Sequence, residues 1–325
     1  MSKIDIEENL IKKIDVELLT ILLMDRSSGK HIIWATNDYA QRGEKYYADK
    51  QITVPSITGH NGRLIKPRTE KSQKEQLRRI RNKAEVFTPS WICNKQNNLI
   101  DNAWFEQVGV FNVETDNGWT ATTEKIAFPT SSGKTWQDYV KDVRLEVSCG
   151  ESPYLASRYD TVTGAPIAIG ERIGLLDRKL RVVSENVDDE QEWYAWVKEA
   201  FKSIYGFDWQ GDNVLLAREN LLFTFIDNYI AKFGLYPIKE YLLEIAEILS
   251  WNIWQMDGLK YVIPNSCKPT PRLQMSLFDD EEEFEECEGC KKGDNHKHTG
   301  IYCKIKDWEK NKTIKFVEML NGGKR

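Results

Sequence analysis

A mixed α/β fold built on a parallel sheet is what this sequence predicts, and three observations carry the prediction. Three short apolar runs, at 144–148 (RLEVS), 203–208 (SIYGFD) and 252–259 (NIWQMDGL), read as strands or strand ends. Helical patterns over 212–232 and 238–250 separate the last two. The first run closes on a Cys149-Gly150 turn and the second on Asp208. Alternation of this kind lays strands in parallel, because each crossover needs a helix-length connection.

The remaining elements follow in chain order. Apolar spacing over 6–24 predicts a helix, and HIIWAT (31–36) predicts a buried strand from its β-branched and aromatic residues. Residues 38–62 are Gly-, Tyr- and polar-rich and read as loop with short strands. Residues 70–83 read as a basic helix, and Thr88-Pro89 as the start of a helix over about 91–103. Asn117-Gly118 and Ser132-Gly133 mark turns among short strands over 105–135. A helical WQDYVKDV (136–143) precedes the first sheet strand, and charged amphipathic helices fill 171–201. Beyond Pro264 the chain turns polar and acidic, which predicts a linker over 266–286 ahead of a tail over 287–325.

Composition narrows the function classes. The chain has 325 residues, enough for one large domain with additions or two modest ones. Its net charge of -5 is unevenly spread. Arg63, Lys66, Arg68, Lys71, Lys74, Arg78, Arg79, Arg81 and Lys83 crowd one segment, while 279–288 is almost all Asp and Glu. A nucleic-acid partner therefore stays open, with Arg78, Arg79 and Arg81 set to lie along a phosphate backbone if 70–83 is helical. A solvated charged helix is the alternative. No apolar run is long enough to span a membrane, and the charged N-terminus lacks a signal core. A cytoplasmic protein without a membrane partner is expected. No Ser–His–Asp or paired-carboxylate centre stands out, and four His leave little for acid–base work.

Four segments stand in order: EVFTP (85–89), LEVSCGESPYL (145–155), IYGFDWQGDNVLLARENLL (204–222) and NIWQMDGL (252–259). Together they resemble the amino-methyltransferases of restriction–modification systems, especially adenine-N6 DNA enzymes. The chain is more closely similar to bacterial proteins described as restriction endonuclease subunit M, over nearly its whole length. The resemblance implies a Rossmann-like S-adenosylmethionine-dependent methyltransferase fold over 85–265, with an α/β accessory region over 1–84 and a zinc-knuckle-like tail. It places Phe87, Thr88 and Pro89 beside the methionine end of S-adenosyl-L-methionine. It puts Glu146, Ser148, Cys149 and Gly150 in the cofactor loop, where Ser152 replaces a second Gly. Asp208 would accept the ribose hydroxyls, since one carboxylate takes two hydrogen bonds at once. Asp257 would meet the adenine amino group. A helix cap at 88–89, an N-cap or loop acid at Asp208 and a turn Asp before Gly258 are the plainer readings.

The family's base-binding tetrapeptide, Asp/Asn/Ser-Pro-Pro-aromatic, is absent from the sequence. The nearest string, Ser152-Pro153-Tyr154, already fits the cofactor loop. The chain is therefore expected to be an adenine-N6 methyltransferase or its M-type subunit, completed by a complementary subunit or by a divergent base-binding loop. The rival is a catalytically silent DNA- or clamp-binding component of a defence system.

Cys287-x-x-Cys290 followed by Cys303, with His298 or His296 completing four ligands, predicts a small zinc site; free cytosolic thiols are the alternative. Gln274-Met-Ser-Leu-Phe278 in the linker resembles the pentapeptide by which bacterial proteins bind the replication sliding clamp.

Overall fold

The computed structural model describes residues 4, 7–83, 85, 88–129, 133–271 and 284–320. The chain opens with α1 (Glu8–Ile14) and α2 (Val16–Leu23), not with one helix. Asp15 makes the break: its backbone is extended (φ -164°) and its carboxylate accepts from Glu17 N at 2.7 Å, capping α2. A short hairpin follows, β1 (Met24–Asp25) with β2 (Lys30–His31), then α3 (Val54–Ile57), α4 (Gln73–Lys83) and α5 (Ser90–Phe105). The predicted strand at 31–36 shrinks to its first residue and a single bridge from Ile33 to Gln51. The Gln255 side-chain amide takes the place of a neighbouring strand. It accepts from Ile33 N at 2.9 Å and donates to Ile33 O at 2.8 Å, so this backbone is satisfied without a ladder.

Next come the hairpin β3 (Asn112–Thr115) with β4 (Gly118–Ala121), then α6 (Trp136–Lys141) and β5 (Arg144–Val147). Helices α7 (Leu175–Asn186) and α8 (Glu190–Lys202) lead to β6 (Ile204–Asp208). Helices α9 (Gly211–Phe233) and α10 (Lys239–Asn252) lead to β7 (Ile253–Gln255). The order β5-β6-β7 is parallel throughout, with Arg144 opposite Ile204 and Gly206 opposite Ile253. The fold is thus mixed α/β, and the carboxyl ends of its parallel strands share one edge. Gly206 makes the β5–β6 seam close. A Cβ there would come within 3.2 Å of Ile253 Cδ1 and 3.3 Å of Cys149 Cβ, so the thiol of the turn rests on bare backbone.

Helix α9 is the spine. It is buried along most of its 23 residues because α2, α7 and α10 pack around it. Its Arg218 is fully buried and donates to four carbonyls: Leu22 O (2.5 Å), Met24 O (2.9 Å), Ser250 O (3.1 Å) and Ile253 O (2.8 Å). One side chain thereby satisfies the carboxyl ends of α2 and α10, which would otherwise be orphaned. The main apolar core runs without interruption from Ile11 through Trp34 and Trp193 to Ile253, so the accessory region and the sheet share it.

The C-terminal part adds β8 (Thr270–Pro271) paired with β9 (Phe284–Glu285), α11 (Glu288–Lys292), the hairpin β10 (Lys304–Asp307) with β11 (Lys312–Lys315), and α12 (Phe316–Met319). A second, smaller cluster joins it to the sheet: Phe207, Trp254, Met256, Ile263, Cys303 and Ile305. Among the described residues no helix is long and apolar enough to cross a membrane.

Candidate functional site

The carboxyl ends of β5 and β6 frame a cleft of about 730 Å³, the place where open parallel sheets bind ligands. Its floor is the turn after β5. Cys149 N donates to Phe207 O at 2.9 Å, and Gly150 N donates to Asp208 Oδ2 at 3.0 Å. Asp208 Oδ1 accepts from Gln210 N (2.9 Å) and Asn213 Nδ2 (3.3 Å). This carboxylate therefore ties the β5 loop to the first turn of α9, where its charge also suits the helix dipole.

The loop is strained. Ser148 (φ 53°), Gly150 (φ 53°) and Ser152 (φ 60°) are all left-handed. For a serine this costs about 1 kcal/mol. Ser152 thus adopts a glycine-like conformation at the position where the resembled motif carries Gly. Side chains that sequence reading left without a role hold the loop in place. Asn220 Nδ2 donates to Glu151 O at 3.0 Å. The buried Glu151 carboxyl accepts from Arg68 N (2.5 Å) and Tyr159 OH (2.7 Å). Signals for Asn220 and Arg218 stood in the ARENL string on α9, but no sequence pattern said which groups they would reach.

The cleft is acidic and rich in acceptors. Glu85, Glu146 and Asp208 line it, and no Lys, Arg or His does among the described residues. Burial pushes the Glu146 carboxyl well above the ordinary range, and burial pushes Asp208 up to about 6 against the pull of its hydrogen bonds. Glu146 Oε1 accepts from Tyr154 N at 3.4 Å, while Oε2 has no partner. Asn97 spends its amide on Tyr154 O and Ile173 O, both at 2.9 Å, which leaves its Oδ1 unpaired. Asn213 Oδ1 is unpaired too. These three oxygens are sealed from solvent, so what a ligand would meet is the rest of the lining, carboxyl, amide and hydroxyl groups with no basic side chain among the described residues. Trp209, 37% exposed, adds an aromatic face at the rim.

The sequence-predicted residues divide. Glu146, Ser148, Cys149, Gly150, Asp208 and Thr88 line the cleft together. Pro89 caps α5, whose Ser90 N donates to Asp160 Oδ2 at 2.9 Å; Phe87 lies outside the described residues. Asp257 does not line the cleft. Its Oδ1 accepts from Leu259 N (2.9 Å) and Lys260 N (3.2 Å), so it closes a turn. Arg79 is not on the surface either. Its buried guanidinium pairs with Asp212 and with Glu85 (3.0 Å) and meets Tyr39 OH at 3.2 Å. Burial alone would raise the Asp212 pKa, but Arg79 outweighs it and holds the group at about 2. Arg79 takes the inner face of α4 and so cannot line a phosphate backbone. Lys74 and Arg81 are exposed, and Arg78 is 42% exposed beside Asp38 at 3.2 Å.

A second constellation lies in the C-terminal part. The sulfurs of Cys267, Cys287 and Cys290 and a ring nitrogen of His298 all lie within 4.8 Å of one another, and this group could hold a metal ion. Cys303 does not belong to it: its thiol is fully buried in the smaller core and donates to Gln255 O at 3.3 Å. Cys267, twenty residues before Cys287, stands in its place, with His298 and not His296 as the imidazole. Gly289 is required inside the Cys-x-x-Cys turn, since a Cβ there would meet His298 N at 2.6 Å. The Gln274–Phe278 peptide lies outside the described residues. No protein-family model matches the chain, and searches of curated proteins and of solved structures find no match.

Proposed function

We propose that the cleft binds S-adenosylmethionine and that the chain is an adenine-N6 DNA methyltransferase or its cofactor-binding M-type subunit. The observation that carries this reading is the cleft lining: three carboxyl groups and four side-chain amides, with no basic side chain among the described residues. A phosphate-bearing nucleotide would meet like charge there, whereas a sulfonium with an ammonium group and a ribose diol meets acceptors. Asp208 would accept a ribose hydroxyl through the Oδ2 lone pair that its three hydrogen bonds leave open. The Glu146 carboxyl, held ionised by the cation beside it, would accept from the ammonium group, and the Trp209 ring would pack against the base. When bound, the cofactor would supply an electrophilic methyl group. The protein's part is to orient it and keep the pocket fixed, which the strained, cross-tied loop is built to do.

DNA is the proposed partner. Lys74, Arg78 and Arg81 lie on the outer part of α4, and Arg79 ties that helix to Glu85 at the cleft. A second reading, a component that lacks its own base-binding loop, is favoured by the open edge of the sheet. Val143, just before β5, and Leu145 and Val147 on it are 64%, 46% and 63% exposed, unusual for a parallel strand. A complementary subunit covering that edge would also wall the cleft, which Leu145 and Val147 line. Transfer of tritiated methyl groups to unmethylated DNA, with and without the products of neighbouring genes, decides. Transfer by the chain alone supports the enzyme, and transfer only with a partner supports the subunit. Cofactor binding with no transfer under either condition leaves the silent component. Sliding-clamp binding through Leu277 and Phe278 is a separate proposal, and equal clamp retention by wild type and the Leu277→Ala/Phe278→Ala variant removes it. For the Cys/His cluster we infer zinc, the metal suited to three thiolates and one imidazole.

A further inference from the structure

The four ligands of the Cys/His cluster come from two stretches of chain. Cys267 lies on the segment that leaves β7, and Cys287, Cys290 and His298 lie on the segment that returns after β9. His298 Nδ1 stands 3.7, 3.7 and 3.6 Å from the sulfurs of Cys267, Cys287 and Cys290. Tetrahedral zinc, with metal–sulfur bonds of about 2.3 Å and a metal–nitrogen bond of about 2.0–2.1 Å, separates nitrogen from sulfur by about 3.6 Å. All four corners are protein atoms, so no position is left for water or substrate, as in structural zinc sites. Thr299 N donates to the Cys287 sulfur at 3.1 Å, a contact that favours a thiolate.

Past His298 the returning segment zips onto the outgoing one. Ile263 N donates to Ile301 O (2.8 Å), Cys303 N to Tyr261 O (3.0 Å), and Ile301 N to Ser266 Oγ (3.0 Å). Thr299 exchanges bonds with Lys268 N (3.0 Å) and Lys268 O (2.8 Å). The chain then forms β10, β11 and α12, whose Ile305 and Phe316 close over Phe207 and Trp254. Among the described residues that cluster holds six buried apolar side chains, of which only Cys303 and Ile305 come from the returning segment, too few to hold some 37 residues in place unaided.

We propose that the zinc is a clasp. It joins Cys267 to the returning segment and thereby seats residues 284–320 on the back of β6 and β7, while the main core stands without it. The inference rests on the zinc reading above, and one set of measurements separates the two. The full chain, purified without chelator, is assayed for metal by mass spectrometry and then followed by hydrogen exchange before and after zinc removal and after zinc return. The expected result is one zinc per chain, lost in Cys267→Ser and kept in Cys303→Ser. Removal should speed amide exchange across 298–316 at least tenfold and leave 214–226 unchanged, and added zinc should reverse the change. Absence of bound metal overturns the zinc reading, and full retention of zinc in Cys267→Ser removes Cys267 as a ligand and with it the clasp. Bound zinc whose removal leaves exchange at 298–316 unaltered overturns the clasp alone.

Discussion

The cleft and the Cys/His cluster are two ligand-competent places built by different physics. The cleft sits where regular elements end, and its geometry is fixed by buried polar bonds: Asp208 to two backbone amides, Asn220 to the strained loop, Arg218 to four carbonyls. The cluster sits on loops and the one short helix α11, beside a small apolar patch, and its four ligand atoms converge without a sheet or long helix to place them. A site of the first kind should persist when its ligand is absent, because the scaffold is satisfied internally. One of the second kind should depend on its ligand for shape.

The comparison breaks most readily at Arg218. Replacing it with Leu leaves four buried carbonyls without a donor, and about 3–5 kcal/mol of stability should go. A loss under about 1 kcal/mol in urea unfolding would mean the cleft's scaffold is not held as described. Next in size is a buried acid pair shared by α1 and α9. Glu8 on α1 and Glu219 on α9 are buried with no hydrogen-bond partner. Burial pushes Glu8 up to about 8, and burial with the nearby Glu8 charge pushes Glu219 well above the ordinary range. A carboxyl whose pKa is raised in the folded state binds more protons there than when unfolded. Stability from these groups should therefore fall as pH climbs from about 4.5 to 8. Glu219→Gln should stabilise the protein by about 2 kcal/mol at pH 8.5 and by much less at pH 5; thermal melts at both values check the sign.

A smaller effect concerns the ligand. Asp208→Asn should weaken cofactor binding about tenfold, about 1.4 kcal/mol. Wild-type affinity should itself fall as pH drops through about 6, where the carboxylate takes up its proton. Binding isotherms at pH 5 and 7.5 measure both. Smallest is the α4 surface: Arg78→Glu with Arg81→Glu should flatten the salt dependence of DNA binding by about two phosphate contacts, and an unchanged slope removes α4 as a DNA contact.

The same contrast explains what the sequence made legible. Strand ends and the helices after them announce themselves by local pattern, so the turn at Cys149-Gly150 and the acid at Asp208 could be named in advance and do share one cleft. Long-range choices could not. Whether Cys267 or Cys303 joins the Cys-x-x-Cys turn depends on which segment folds back. Cys303 goes into the small core because its neighbour Ile305 must be buried there. Arg79 read as surface charge because the acidic groups that bury it, Asp212 and Glu85, are remote or uninformative in sequence. HIIWAT read as a strand because nothing local reveals that a glutamine more than two hundred residues away mimics the missing neighbour.

The central claim is that an acceptor-lined, acidic cleft takes a positively charged nucleoside cofactor. Calorimetric titration of the full chain at pH 7.5 with S-adenosylmethionine, and with ATP as the anionic control, tests it most directly. One S-adenosylmethionine bound per chain, weakened in Asp208→Asn, with no heat from ATP, is the outcome this account requires. Silence with S-adenosylmethionine, or ATP binding as tightly, contradicts it.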